Sequence, residues 1–242
     1  MTSGEIAVFT YDAPHRKTQD VIARFLFSGV EPSSIHLLGY PWVERKKRRY
    51  LYAHRPAEDG WGATPLGNEP AGVWAKRLNI KYETVAADAM FGRLTAMEPE
   101  VVVVAGAGLI AKPIVDTFKV LNVHPGLLPR SRGLDILKWT ILNMDPVGVT
   151  AHLCDDRPDL GWLIESVDVP VYRNDTFHSL AMRQYEMELD LLVPSLLTAL
   201  SCEKDGLEVL EDIGSESRMR MPRKVESGLL DAFERYKRVY AI

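Results

Sequence analysis

VVVVAGAGLIAKPIVDTFKVLNVHPG, residues 101–126, decides the fold. Four consecutive valines, 101–104, read as a strand buried on both faces, as in a parallel sheet covered by helices. Residues 112–118 read as a helix, and 120–124 as the next strand. The same alternation runs upstream. Residues 5–11 form a β-rich segment. A helical pattern over 18–27 places Val21, Ile22, Phe25 and Leu26 on one face and stops at Gly29. A strand at 35–39, a helix at 71–78, a strand at 82–85 and a helix at 91–97 complete the series. Residues 41–70, rich in Gly, Pro and charge, read as loop. Alternating strands and helices predict a doubly wound, mostly parallel α/β sheet.

Downstream of Pro125 the pattern changes. A helix at 136–143 precedes two strands close in sequence, 148–154 and 163–169, which predict an antiparallel extension. A long helix at 176–200 has Asp175 or Thr176 as its cap and Pro194 as a point of kinking. A short strand at 207–210, an irregular basic stretch and a helix at 226–240 follow. The division expected is one α/β domain, 1–200, with a small helical and irregular appendage, 201–242.

The bulk numbers exclude more than they identify. The chain has 242 residues, enough for one sizeable core, with 46% hydrophobic and 26% charged residues. A net charge of −4 gives no general attraction to nucleic acid or anionic membrane. Cys154 and Cys202, the two cysteines, are too few for a disulfide framework. His152 and Cys154 share a strand face, yet no third ligand stands at a plausible spacing, so no metal is expected. With no signal-like start and no apolar run near the ~20 residues of a membrane span, the expectation is a cytoplasmic protein.

Chemistry concentrates in two stretches. In LNVHPGLLPRSRG, 121–133, Asn122 and His124 are two apart on a strand and so share a face. They stand at its C-terminal end, where open α/β sheets bind ligands. In DDRPDLG, 155–161, Pro158 and Gly161 fix the bends around Asp159. By themselves these residues leave plainer readings open: a His and Asn satisfied by loop carbonyls, and a solvated acidic loop. GAGLIA, 106–111, also fits the dinucleotide fingerprint G-x-G-x-x-A, which keeps an NAD-binding oxidoreductase as a rival. Against it, the strand at 120–124 ends without an acidic residue for a ribose.

NVHPGLLPRSRG followed by GVTAHLCDDRPDLGWLI resembles the folate-dependent formyltransferases, which include glycinamide ribonucleotide, methionyl-tRNA and sugar N-formyltransferases. Their pattern is N-x-H-[PG]-S-L-L-P, then a G-x-T-x-H strand and a loop ending D-x-G. Here Gly148, Thr150 and His152 are in register, and Asp159 stands 35 residues after His124. Gly126 departs from the pattern, which commonly has Ser there, and this puts a loop hydrogen bond in doubt. The resemblance implies a Rossmann-like formyltransferase fold, N10-formyltetrahydrofolate as cosubstrate, and no metal. It implies that Asn122 and His124 donate to the oxyanion of a tetrahedral intermediate, a role worth ~2.7–4 kcal/mol per donor. Asp159 would orient His124, keep it charged as the oxyanion forms and support a proton relay. Gly106, Gly108, Leu109, Asp155 and Asp156 would contact the pterin. The glycines also read simply as a tight strand-to-helix turn. A non-catalytic folate-binding protein is the alternative of a different class.

The acceptor is read from the loops. His15, Arg16 and Lys17 gather where a helix begins, so orphan N–H groups and positive charge would make a phosphate site. An exposed helix start without a ligand is the plain alternative. The stretch RSRGLDILKWTILN, 130–143, looks like the tRNA and sugar branches of the family. With the chain length, it points to a nucleotide-linked amino sugar, with glycinamide ribonucleotide and methionyl-tRNA as alternatives. Lys138 and Trp139 either face the acceptor or pack. The basic run ERKKRR, 44–49, reads as a solvated loop. The partners expected are a small-molecule acceptor amine, with no membrane and no nucleic acid; a homodimer is an allowed assembly.

Overall fold

A strand flanked by helices on both sides must be apolar on both faces, and β1 (Ile6–Tyr11) meets that requirement. In the computed structural model, which describes residues 4–42, 51–54 and 69–242, its side chains divide between two cores. Ile6 and Val8 face one core, while Ala7 and Phe9 face the other. β4 (Val101–Val104) divides in the same way, with Val101 and Val103 opposite Val102. The remaining strands are β2 (Ile35–Tyr40), β3 (Lys81–Thr84), β5 (Val120–His124), β6 (Gly148–Cys154), β7 (Gly161–Asp168) and β8 (Glu208–Leu210). They form one sheet in the order β3-β2-β1-β4-β5-β6-β7-β8. The first five are parallel, and β6, β7 and β8 are antiparallel.

The helices cover both faces, as the alternation predicts. α3 (Met90–Met97) and α4 (Lys112–Thr117) place Met90, Leu94, Ile114 and Val115 over Phe9 and Val102. On the other face lie α1 (Arg16–Phe27), α2 (Ala71–Arg77) and α6 (Phe177–Ser201). They contribute Val21, Phe25, Trp74, Leu180 and Leu192 to the larger core. α6 opens with a reciprocal cap in which Thr176 accepts from the Ser179 N–H and Ser179 accepts from the Thr176 N–H. It runs through Pro194.

The stretch expected as an appendage joins the same core. β8 pairs with β7, extending the sheet. The helix expected at 226–240 is two: α7 (Arg223–Glu226) and α8 (Leu229–Tyr240), separated at Gly228. α8 buries Leu229, Phe233 and Tyr236 beside Leu137 and Ile141 of α5 (Ile136–Asn143). Lys138 donates to Glu226 across this junction at 2.6 Å, and both side chains are almost wholly buried. Lys138 therefore packs rather than facing an acceptor. Residues 43–50 and 55–68, including the run 44–49, lie outside the described residues. Among the described residues no helix is long and apolar enough to cross a membrane.

The chain leaves β1 toward β2 on one side and β4 toward β5 on the other. A crevice must open at the C-terminal ends of β1 and β4, where the order reverses.

Candidate active site

That crevice is a cleft of about 280 Å³. Its floor is the end of β5, with Asn122 and His124 on one face, and Asp159 closes one side. The turn after β4 supplies Ala105, Gly106 and Ala107, and the loop after β1 supplies Tyr11, His15, Arg16 and Lys17. The structure thus brings Asn122, His124 and Asp159 together.

Each member is held by a different device. His124 is buried, with Nε2 donating to the Ser131 carbonyl at 2.8 Å. Its Nδ1 stands 3.3 Å from Asp159 Oδ1. Both ring nitrogens therefore face acceptors, so donation to a substrate oxygen requires Nε2 to exchange the Ser131 carbonyl for it. Asp159 has φ 55°, a left-handed conformation that Asp tolerates better than most residues. Its second oxygen accepts from the Gly133 N–H at 2.7 Å. Burial works against the charged carboxylate, but His124, the Gly133 N–H and His152 outweigh it. Together they hold this carboxyl well below the usual range.

Asn122 is oriented by His152, the last residue of the G-x-T-x-H strand motif. His152 lies opposite it on β6 and donates from Nδ1 to the Leu160 carbonyl at 3.1 Å. Burial first, then the charge of His124, lowers the His152 pKa to about 4, so the ring is neutral near pH 7. Its Nε2 is then an acceptor, and the Asn122 amide NH₂ lies 3.2 Å from it. That bond sets which way the amide points and leaves its second N–H for a ligand. The period-two spacing of Thr150 and His152 on β6 was the available signal; pairing with Asn122 appears only with the strand register.

Gly126 also has a physical reason. A Cβ there would lie 2.8 Å from the Ser131 carbonyl oxygen and 2.7 Å from Ile136 Cγ2. Glycine lets the loop close far enough for Ser131 to reach His124. Thr150 grips the same loop, accepting from the Leu128 N–H at 3.1 Å and donating to the Gly126 carbonyl at 2.8 Å.

The other expected contacts divide. Gly106 lines the cleft, and a Cβ on it would meet His15 at 2.7 Å, so the close approach of His15 explains this glycine. Neither Gly106 nor Gly108 has a positive φ, and nothing crowds Gly108. The tight-turn reading thus does not account for either. α4 begins only at Lys112, so the glycines do not lead straight into a helix as a dinucleotide fingerprint requires. Gly108 and Leu109 are exposed beyond the cleft wall. Asp155 binds Arg157, and Asp156 binds Lys112 at 2.8 Å, which ties the loop 105–111 region to the loop 155–160. Burial pushes the Cys154 thiol up to about 12, which leaves it an uncharged neighbour.

On the β1 side, His15 caps no backbone N–H but meets Thr18 Oγ1 at 2.8 Å. Arg16 donates to Asp20 at 2.6 Å, and Tyr185 donates to the same Asp20 oxygen at 2.7 Å. Lys17 donates to the buried Glu188. Two of the three groups expected to gather a phosphate are therefore paired with acids.

Comparison with known proteins points to one family. The Formyl transferase pattern matches residues 56–196. A methionyl-tRNA formyltransferase of Macrococcus caseolyticus is 32% identical over 139 residues, covering 54% of this chain and 45% of that protein. Among solved structures, a sugar N-formyltransferase from a Shewanella species superposes with a TM-score of 0.57 at 17% identity, covering 90% of this chain and 75% of that one. A phosphoribosylglycinamide formyltransferase from Anaplasma phagocytophilum gives 0.59 at 18% identity, covering 89% and 98%. The chain spans about half the length of the curated relatives it matches.

Proposed function

Because the chain belongs to the formyl transferase family, we propose that it moves the formyl group of N10-formyltetrahydrofolate onto the amine of a small acceptor, a nucleotide-linked amino sugar. The observation that carries this reading is the meeting of Asn122, His124 and Asp159 in one cleft at the switch point.

Attack of an amine on a formyl carbon develops negative charge on the formyl oxygen, and the free Asn122 N–H is an amide donor in position to meet it. His124 adds a second donor when Nε2 turns from Ser131 to that oxygen. Asp159 stays ionised and attracts a proton held on His124, so the pair can carry charge while the amine loses its proton, the bond from N10 to the formyl carbon breaks and N10 of the departing tetrahydrofolate gains a proton. The neutral His152 keeps the amide N–H side of Asn122 turned as this requires.

The slot between residues 105–111 and 154–159 is the reading for the pterin. Its side chains are engaged with one another, as in Lys112–Asp156, so backbone groups of the two loops are the available contacts. For the acceptor, the N-terminal amides of α1 with His15 and Arg16 remain the reading for a phosphate. Lys17 would first have to leave Glu188. Methionyl-tRNA is the second reading, favoured by the names of the curated relatives.

A mass-spectrometric screen tests this. The chain is supplied with N10-formyltetrahydrofolate and, in turn, UDP-, GDP- and dTDP-linked amino sugars, glycinamide ribonucleotide and charged initiator tRNA. One acceptor should gain a formyl group, and His124→Ala should stay folded and lose most of that turnover. No mass gain in any arm, with folate still bound, would leave the chain a folate-binding protein.

A further inference from the structure

Residues 131, 132 and 133 each hold a different part of the catalytic pair. The Ser131 carbonyl accepts from His124 Nε2 at 2.8 Å. The Arg132 guanidinium, 7% exposed, donates from Nε to the carbonyl of Pro158, the residue before Asp159, at 3.1 Å. The Gly133 N–H donates to Asp159 Oδ2 at 2.7 Å. The distance between His124 and Asp159 is thus set from outside the pair, by one tripeptide.

That tripeptide is in turn held by the chain after β8. Arg218 donates its N–H to the Arg132 carbonyl at 2.8 Å and accepts from the Leu134 N–H at 2.7 Å, forming a parallel bridge with Gly133. Gly133 has φ 101°, and a Cβ there would lie 2.1 Å from the Arg218 carbonyl oxygen, so only glycine lets the tail this close. Arg132 reaches the tail as well, donating from Nη1 to the Ser215 carbonyl at 3.2 Å and pairing with Asp212 at 3.3 Å. Ser215 Oγ donates to the Pro129 carbonyl at 2.5 Å, and the Met221 N–H to Asp135 at 2.9 Å. This tail lies beyond residues 56–196, the part matched to the family.

We propose that the tail segment 212–221 is a positioning element for the reaction, acting through Arg132 and Gly133 to set the His124–Asp159 geometry. Arg132 suits the task because a planar guanidinium can donate to Pro158 and to Ser215 from separate nitrogens at fixed angles. A lysine has one nitrogen and would satisfy one side at a time. Tail contacts that only added stability would run to any part of the surface. These fall on Pro129, Arg132, Leu134, Asp135 and Trp139, in and around the tripeptide that touches the catalytic groups. The consequence for turnover rests on the formyl-transfer reading, whereas the geometry can be read on the chain alone.

The test is nitrogen-15 NMR of the full chain, without folate or acceptor, read at the His124 imidazole and the Gly133 amide. In Arg132→Gln the two His124 ring-nitrogen signals should move from their parent positions, because Ser131 and Asp159 are no longer held at fixed distances from the ring. Exchange of the Gly133 amide should quicken about tenfold, the equivalent of one hydrogen bond. Arg132→Lys should recover part of both. Arg218→Pro, which removes the N–H from a half-buried tail residue, should act in the same direction. Arg218→Ala, which removes the stacking on Trp139 and the pairing with Glu216 but keeps the backbone N–H and carbonyl, should leave both signals as they are. If Arg132→Gln unfolds, the Arg218→Pro and Arg218→Ala pair decides by the same two signals. A folded Arg132→Gln or Arg218→Pro chain with unchanged His124 and Gly133 signals overturns the proposal. The NMR result stands whether or not any acceptor is formylated, so failure of the positioning role and failure of the proposed reaction are separate outcomes.

Discussion

The parallel half of the sheet, β1–β5, and the antiparallel margin, β6–β8 with its tail, contribute to one site by different physics. Asn122 and His124 come from the parallel half, where a regular strand, paired to β4 at Val120 and Leu121 and to β6 from Leu121 to His124, fixes the direction of each side chain. Asp159 comes from the margin, from a loop whose backbone turns left-handed and whose carboxylate is pinned by a distant amide. In the first region, position follows from periodicity. In the second it follows from long-range contacts made after the sheet has formed. The site needs both, and the seam between β5 and β6 is where they meet.

Cutting the seam chemically should have the largest effect. Asp159→Asn keeps the shape and tolerates the left-handed backbone but removes the charge that faces His124. Turnover should fall by roughly 10²–10⁴-fold, the usual range for a lost acid–base partner, and the melting temperature should fall as well, because the fold stabilises the charged form of this carboxyl. Near-normal kcat in this variant would remove Asp159 from the mechanism.

A stability comparison sharpens the contrast between the halves. Phe9→Ala in the parallel half should cost ~3–5 kcal/mol through the cavity it leaves in a fully buried position. Gly161→Ala in the margin leaves no cavity. It places a Cβ 2.0 Å from the Leu153 carbonyl oxygen at φ 126°, so it should cost about 1–3 kcal/mol through backbone strain. Urea unfolding measures both, and an unchanged midpoint for Gly161→Ala would show that the margin relaxes freely. The Phe9 variant should leave KM near its original value, while the Gly161 variant, two residues from Asp159, should also lower kcat.

The most gradual effect is the pH dependence of the His152 link between the halves. Its folded pKa of about 4 lies below the ordinary histidine value, so the unfolded chain binds a proton that the folded chain refuses. The stability contributed is whole above about pH 6.5 and is lost as pH falls toward 4, at up to about 1.4 kcal/mol per pH unit. Melting temperature followed from pH 7 to 4 should show this slope, and His152→Gln should flatten it. A variant with the parent's slope would mean that other groups carry it.

Much of this was legible beforehand. Doubly buried valines, period-two strands and helical faces place nearly every element, because local pattern reflects the two covered faces. The Asn122–His124 pair was legible for the same reason. Lys17 and Arg16 were not: their positions at a helix start were clear, but the acids that engage them include Glu188, far along the chain. The role of His152 was not legible, because a single strand does not reveal what lies opposite it. Gly126, a departure from the family pattern, made sense only once Ser131 was seen against it.

The sequence by itself determined the order of the elements, the two-sided core, the family and the face shared by Asn122 and His124. Each of these depends on neighbours within a turn or two, or on a motif whose spacing is written in the chain. Only the tertiary structure decided that Asp159 reaches His124, that Gly133 holds Asp159, and that the tail holds Gly133. Those contacts join residues 26 to 86 positions apart, and no local preference specifies them. They arise because the antiparallel margin folds back along the end of β5, where backbone donors and acceptors left over by the loops must find one another.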